Sequence, residues 1–108
     1  MRAVAGRVLD VIVDIRKSSN TYGKHLAREL SAEQNNLLYV PEGFAHGFLA
    51  LEENSVFLYK CSDYYHHESE SGLLWNDPDL SINWNVANPI VSDKDQILPL
   101  FKDFVSPF

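Results

Sequence analysis

An imidazole and a phenol stand at alternating positions among aromatic residues on either side of a short polar stretch. His46 and Phe48 precede Glu52-Glu53-Asn54, and Phe57, Tyr59 and Cys61 follow it. If Glu53-Asn54 is a two-residue hairpin loop, Ala50 faces Phe57, Phe48 faces Tyr59 and His46 faces Cys61. Alternation then gathers His46, Phe48, Phe57, Tyr59 and Cys61 on one sheet face, and Leu49, Leu51, Val56 and Leu58 on the other. An aromatic face with embedded polar tips suits the wall of a cleft for a partly polar ligand. The alternative is a core face whose tyrosine hydroxyl and imidazole are satisfied internally, and spacing alone favours that alternative. His66 and His67 are adjacent, so a strand would turn them to opposite faces and they could not converge on one ion.

The elements that must position these side chains read as short strands. Val8 to Arg16 alternates, with Leu9, Val11, Val13 and Ile15 on one side and Asp10, Ile12 and Asp14 on the other. Strands are expected near residues 8–16, 36–40, 46–51 and 55–61, with His46 and Tyr59 sharing a concave face. Pro41 stops the third segment of apolar sequence because it lacks the ladder N–H. Lys24 to Leu30 is ambiguous: Leu26, Ala27 and Leu30 fit a helix face, but the sequence on both sides reads β. Leu80, Ile82 and Trp84 suggest a further short strand, and Ser92-Asp93-Lys94-Asp95 reads as a turn or a helix N-cap. No long amphipathic helix competes, so the pattern indicates an all-β antiparallel sandwich or barrel.

Composition bounds the function. The chain has 108 residues, 45% hydrophobic and 22% charged, as in an ordinary globular domain rather than a disordered chain. A chain of this length buries about two thirds of its unfolded surface, enough for a core without disulfides or metal. The net charge is −6. Residues 1–28 hold six Lys/Arg against two acids, and residues 29–108 hold three Lys against thirteen Asp/Glu. No basic stripe interleaved with aromatics exists to follow a phosphate backbone, which argues against nucleic acid as a partner. No apolar run approaches the ~20 residues of a membrane span, and no signal peptide is evident. With Cys61 as its lone cysteine, the chain is expected in a reducing, cytoplasmic setting.

The stretch Val40-Pro41-Glu42-Gly43-Phe44-Ala45-His46-Gly47-Phe48 closely resembles the dTDP-4-dehydrorhamnose 3,5-epimerase family. So do Phe57-Leu58-Tyr59-Lys60 and Asp63-Tyr64-Tyr65 after it. Asp10-Val11-Ile12-Val13-Asp14-Ile15-Arg16, Trp75-Asn76-Asp77-Pro78-Asp79-Leu80 and Ser92-Asp93-Lys94-Asp95 extend the likeness over nearly the whole chain, in order. The resemblance implies a cupin-type antiparallel jelly roll that assembles as a homodimer or larger homo-oligomer. It implies epimerisation next to the C4 ketone of dTDP-4-keto-6-deoxyglucose, in dTDP-rhamnose biosynthesis. A base removes the proton at C3 or C5, an enolate forms, and an acid returns a proton from the opposite face, with no redox or metal cofactor.

Residue by residue, the resemblance makes Tyr59 the general acid and Asp95 the carboxylate that orients the base histidine. Tyr65 matches the aromatic that stacks on thymine. His46, Glu70 and Lys94 match positions that touch the sugar nucleotide, with Lys94 suited to the diphosphate. Asp10, on the polar face of its strand, either supports the site or is simply solvated. Glu70 lies in the acidic run Glu68-Ser69-Glu70, which could be plain surface, and Lys94 could be an ordinary exposed cation.

The resemblance also implies a difference. Family members carry further strands, a dimer-forming segment and the motif with the base histidine before the position where this chain starts, and the enolate-holding lysine falls there too. None of His25, His46, His66 or His67 matches the base. The expectation is therefore one jelly-roll domain over residues 1–108, lacking the family's N-terminal strands and nearly inactive alone. Two other readings remain. One is a non-catalytic jelly-roll remnant that binds a sugar nucleotide. The other is a metal-binding cupin, because Pro41-x-Gly43-x-x-His46 resembles half of a cupin metal motif, although the Asn expected four residues later is Ala50 and the His-x-His half is absent.

Overall fold

The computed structural model describes residues 1–60, 72–84, 86 and 89–108. Five strands form within it: β1 (Arg2–Ala5), β2 (Arg7–Asp14), β3 (His25–Ser31), β4 (Phe44–Ala50) and β5 (Val56–Leu58). They make two antiparallel sheets, one ordered β3-β2-β4 and the other β1-β5. Among the described residues the helical content is one turn of helix, α1 (Asp93–Gln96), and a 3-10 turn at Phe101–Asp103. The fold is all-β, an antiparallel jelly roll of the cupin type. Among the described residues no helix is long and apolar enough to cross a membrane.

The hairpin expected at Glu53-Asn54 does not form. β4 pairs with β2, from Val8 opposite Ala50 to Asp14 opposite Phe44, while β5 pairs with β1, from Arg2 opposite Leu58 to Ala5 opposite Val56. Residues 44–58 therefore run on as one bent ribbon beside residues 2–14, and Glu52-Glu53-Asn54 bulges out at the corner. The bend has a local cause. Gly6 has φ +72°, and a Cβ there would collide with Ser55. The Ser55 hydroxyl donates to the carbonyls of Glu52, at 2.8 Å, and Arg7, at 3.2 Å, which ties the two ribbons together at their bends. Glu52 also takes the Arg7 guanidinium at 2.7 Å. A polar triplet with Asn54 at φ 60° is equally compatible with a tight hairpin and with a corner, and pairing to the preceding strands decides for the corner.

Two other expectations need correction. Residues 36–40 form no strand. Leu37 and Tyr39 are exposed, and the segment is held at Leu38, whose N–H and C=O bond Met1 at 2.9 and 2.8 Å. The ambiguous stretch at Lys24 to Leu30 is a strand: β3 pairs with β2 without a break from Val13 opposite His25 to Arg7 opposite Ser31. Its helix-compatible spacing is overridden by that ladder. β2 matches the expected 8–16 within two residues at each end. The segment Leu80–Trp84 carries no ladder.

The core has two parts. Ala3, Val8 and Leu30 fill the inside of the corner with Met1, Leu38 and Phe57 around them. On the opposite face of β2 and β4, Val13 and Ile15 pack with Leu80, surrounded by Leu73, Ile82, Phe101 and Phe104. This second layer is latched by Asp77, which is 2% exposed and accepts from the N–H groups of Asp79, Leu80 and Phe101 at 2.7, 3.0 and 2.7 Å. Burial pushes the Asp77 carboxyl up, but donation from Phe101, Leu80 and Asp79 outweighs it and leaves the pKa below its ordinary value.

Asp77→Ala is expected to destabilise the fold by roughly 2–4 kcal/mol, because it strands buried N–H donors and frees Phe101 from the turn at residues 77–81. Because the folded-state pKa is depressed, the latch contributes fully above the ordinary carboxylate pKa and is lost as pH falls through the folded value. Chemical denaturation of both proteins between neutral and strongly acid pH checks this: the stability gap should close as acid is added.

Candidate active site

On β4, His46 and Phe48 alternate with Gly47, so the two rings share the inner face. Phe57, and Tyr59 just beyond β5, lie past the bend and turn to the same space. His46 and Phe57 stack with centroids 6.1 Å apart, Phe48 and Phe57 at 4.6 Å, and Phe57 and Tyr59 at 6.3 Å. The expected shared face is thus real for these four residues, although they meet across a corner rather than a hairpin. Gly47 points the other way, and the Trp84 indole packs against it while donating to Trp75 C=O at 2.8 Å.

Asp10 faces inward from β2, opposite Phe48 and diagonal to His46, whose register partner is Ile12. It is wholly buried, so the solvated alternative is overturned. Its Oδ1 lies in close contact with His46 Nε2. Neither carboxylate oxygen has a hydrogen bond of good geometry, and neither does His46 Nε2. A carboxylate sealed from water needs a donor or a cation beside it, and His46 is the group in contact. Arg28 stands opposite Asp10 on β3. Sequence reading did not foresee the Asp10–His46 pair, although an aspartate inside a β-branched strand that fills both faces was the available signal.

Four residues further along β2, Asp14 is held by Arg16 through two side-chain bonds at 3.0 and 2.9 Å and by the hydroxyls of Ser19 and Thr21. The Arg16 bonds, opposed by burial and aided by Ser19 and Thr21, keep its carboxyl far below the usual range. Arg16 also covers the Phe44 ring at 4.9 Å, and a Cβ on Gly43 (φ +89°) would strike its stem. This cluster fixes the turn from which β4 starts.

A further side of the site comes from the C-terminal segment. Ser92 caps α1, its hydroxyl accepting from Asp95 N–H at 3.3 Å, which decides between the turn and the helix N-cap in favour of the cap. The helix presents Lys94 and Asp95 to a cleft of about 880 Å³ that His46, Phe48, Phe57 and Tyr59 also line. Of the residues singled out from the sequence, Tyr59, His46, Lys94 and Asp95 therefore share one cleft, and Asp10 backs it through His46. Tyr65 and Glu70 lie outside the described residues, as do Cys61, His66 and His67. Among the described residues no three His, Cys, Asp or Glu side chains converge as a metal-binding group. A phenol, a carboxylate, an ammonium and an imidazole around one partly apolar space can hold an anionic ligand and exchange protons with it.

The family profile described as dTDP-4-dehydrorhamnose 3,5-epimerase matches residues 1–103. The enzyme of that name from Shigella flexneri is 50% identical over 95 residues, covering 88% of this chain and 52% of the relative. The crystal structure of dTDP-4-dehydrorhamnose 3,5-epimerase from Elizabethkingia anophelis superposes with a TM-score of 0.92 at 51% identity, over 94% of this chain and 57% of that one. The structure of dTDP-6-deoxy-D-glucose-3,5-epimerase from Legionella pneumophila, in complex with dTDP-4-keto-L-rhamnose, superposes with a TM-score of 0.92 at 41% identity, over 96% and 56%. The chain spans about half the length of the curated relatives it matches. With a profile match over nearly all its residues and the fold of the solved enzymes, the chain belongs to the dTDP-4-dehydrorhamnose 3,5-epimerase family.

Proposed function

We propose that this chain binds dTDP-4-keto-6-deoxyglucose, or a closely related sugar nucleotide, and carries the acid side of a 3,5-epimerase centre of dTDP-rhamnose biosynthesis. The observation that carries the reading is the meeting of Tyr59, His46, Lys94 and Asp95 on one cleft, from three separate parts of the chain. The Legionella relative holds a dTDP-4-keto sugar in its crystal. In the proposed reaction the C4 ketone acidifies the hydrogens at C3 and C5. Tyr59, half exposed at the cleft, returns a proton to the enolate carbon. His46, pressed against Asp10, donates to a sugar oxygen, and Lys94 neutralises the diphosphate. Asp95 orients a neutral imidazole that acts as base and stabilises the imidazolium formed when it takes the C3 or C5 proton. Tyr65 would stack on the thymine and Glu70 would touch the sugar nucleotide.

The base itself is the weak point of the 108 residues. His46 is the described histidine that lines the cleft, and its Nε2 is committed to Asp10. A general base contributes about 10²–10⁴-fold, and a carboxylate such as Asp95 is a poor base for a carbon acid. Binding without appreciable turnover is therefore the proposed behaviour of this chain by itself. The setting is cytoplasmic and the chain a homodimer or larger homo-oligomer. Val4, Val56 and Leu58, all exposed on the outer side of the β1-β5 sheet, support self-association.

Calorimetric titration with dTDP should show binding that Lys94→Ala weakens about tenfold, the loss of one charge-assisted contact. Absence of dTDP binding would overturn the reading. Deuterium uptake at C3 and C5 of dTDP-4-keto-6-deoxyglucose in heavy water should stay near background. Uptake at enzymatic rates that Tyr59→Phe abolishes would show that another residue here serves as base.

Asp10→Asn keeps the shape but removes the charge beside His46. It is expected to weaken binding of the keto sugar nucleotide more than binding of dTDP, because His46 is assigned to the sugar. Equal losses for both ligands in the same titration would take His46 and Asp10 out of the sugar site.

A further inference from the structure

α1 brings Lys94 and Asp95 to the cleft, yet no residue of this helix is buried. One turn of helix has no stability of its own in water, so its aim depends on how its two ends are tied. The outgoing end is fixed to the rest of the protein. Pro99 C=O accepts from Leu74 N–H at 2.9 Å, and Phe101 N–H donates to Asp77 at 2.7 Å. Leu98 packs so closely over Gly72 that a Cβ there would stand 3.0 Å from Leu98 Cδ1. The incoming end has no such hold. Among the described residues, no backbone hydrogen bond joins 89–92 to a strand, and Ile90 is fully exposed. What ties the incoming end is the helix itself. Asp95 N–H donates to Ser92 C=O at 3.0 Å and to its hydroxyl at 3.3 Å, and Gln96 N–H donates to the same carbonyl at 3.1 Å. The Gln96 side chain reaches one residue further back, where Nε2 donates to Val91 C=O at 2.8 Å. That bond encloses the whole turn, cap included. Gln96 is exposed and does not line the cleft.

We propose that Gln96 is a positioning residue for nucleotide binding: its amide clasps the chain entering α1 to the anchored chain leaving it, and so fixes where Lys94 meets the diphosphate. This rests on the assignment of Lys94 to the diphosphate made above, and extends it to a residue that touches no ligand. The Val91 carbonyl accepts only from a donor, and the Gln96 side-chain amide supplies one at the length the turn requires. Without that donor the Val91 peptide turns to water, and the incoming chain is held at Ser92 alone. The Lys94 ammonium then sweeps a wider arc, and ordering it on the phosphate costs affinity that the clasped helix does not lose. A charge-assisted contact is sensitive to such a change because its strength depends on distance and direction.

Calorimetric titration of the 108-residue chain with dTDP tests the clasp, using the wild type, Gln96→Met, Lys94→Ala and the double variant. Methionine keeps the side-chain length and a similar helix propensity but has no N–H to donate. Gln96→Met should weaken dTDP binding about threefold, the worth of one exposed neutral hydrogen bond. In the Lys94→Ala background the same change should weaken it no further, because a residue that acts through Lys94 is silent once Lys94 is gone. Circular dichroism should be the same for all four proteins. Equal affinity of the wild type and Gln96→Met for dTDP overturns the proposal. Equal losses from Gln96→Met in both backgrounds overturn it as well, since Gln96 would then act without Lys94. A wild type that does not bind dTDP overturns the nucleotide reading itself, and the clasp with it.

Discussion

A flat ribbon would keep the reactive side chains apart. His46 and Phe57 are separated by eleven positions, which in an extended strand is about 36 Å, yet their ring centroids lie 6.1 Å apart. The bend at residues 51–55 closes that distance, and it exists because the accompanying ribbon bends at the same place. Gly6 takes a left-handed conformation that few residues tolerate, and Ser55 fills the space where a Cβ would project. Both ribbons keep their ladders on either side of the corner, so the inner face becomes concave at little cost in hydrogen bonding. Everything the cleft offers, from His46 on one wall to Tyr59 on the other, depends on that shared corner.

What could be read from the sequence follows from how local each determinant is. β2 is legible because period-two alternation of β-branched residues is a local signal, and the helix cap at Ser92 is legible because its serine and the acids after it are adjacent. The corner is not legible, since Glu52-Glu53-Asn54 has the chemistry of a tight turn and only the partners of β4 and β5 reveal that the ribbon continues. β3 is ambiguous in sequence because Leu26, Ala27 and Leu30 fit a helix face while the segments on both sides read β, and its seven paired positions with β2 settle the matter through long-range contacts. Residues 36–40 carry strand-like residues but are tied in through the Asn36 side chain and the Leu38 backbone, so Leu37 and Tyr39 gain nothing from a ladder. The grouping of His46, Phe48, Phe57 and Tyr59 survives the wrong hairpin because both arrangements preserve the alternation that turns those side chains inward.

The described carboxylates divide by how fully their oxygens are satisfied. Asp14 is saturated by Arg16, Ser19 and Thr21, and Asp77 by three backbone N–H groups. Both are held below their ordinary pKa, and both join segments distant from one another or close a turn. Their donors are consumed by structure. They hold the start of β4 and the C-terminal layer, and so set the frame in which α1 reaches the cleft.

Asp10 is the opposite case. It is as buried as Asp77 and lies in the middle of the best-packed strand, but its contact is a single imidazole edge and its oxygens lack well-directed donors. A purely structural carboxylate at that depth would be expected to collect donors as Asp77 does, because leaving a buried charge under-satisfied costs more than the fold recovers elsewhere. What Asp10 does instead is act on one group, and that group lines the cleft. Its placement makes sense as a means of setting the orientation and hydrogen-bonding capacity of His46 toward whatever occupies the space between the sheets.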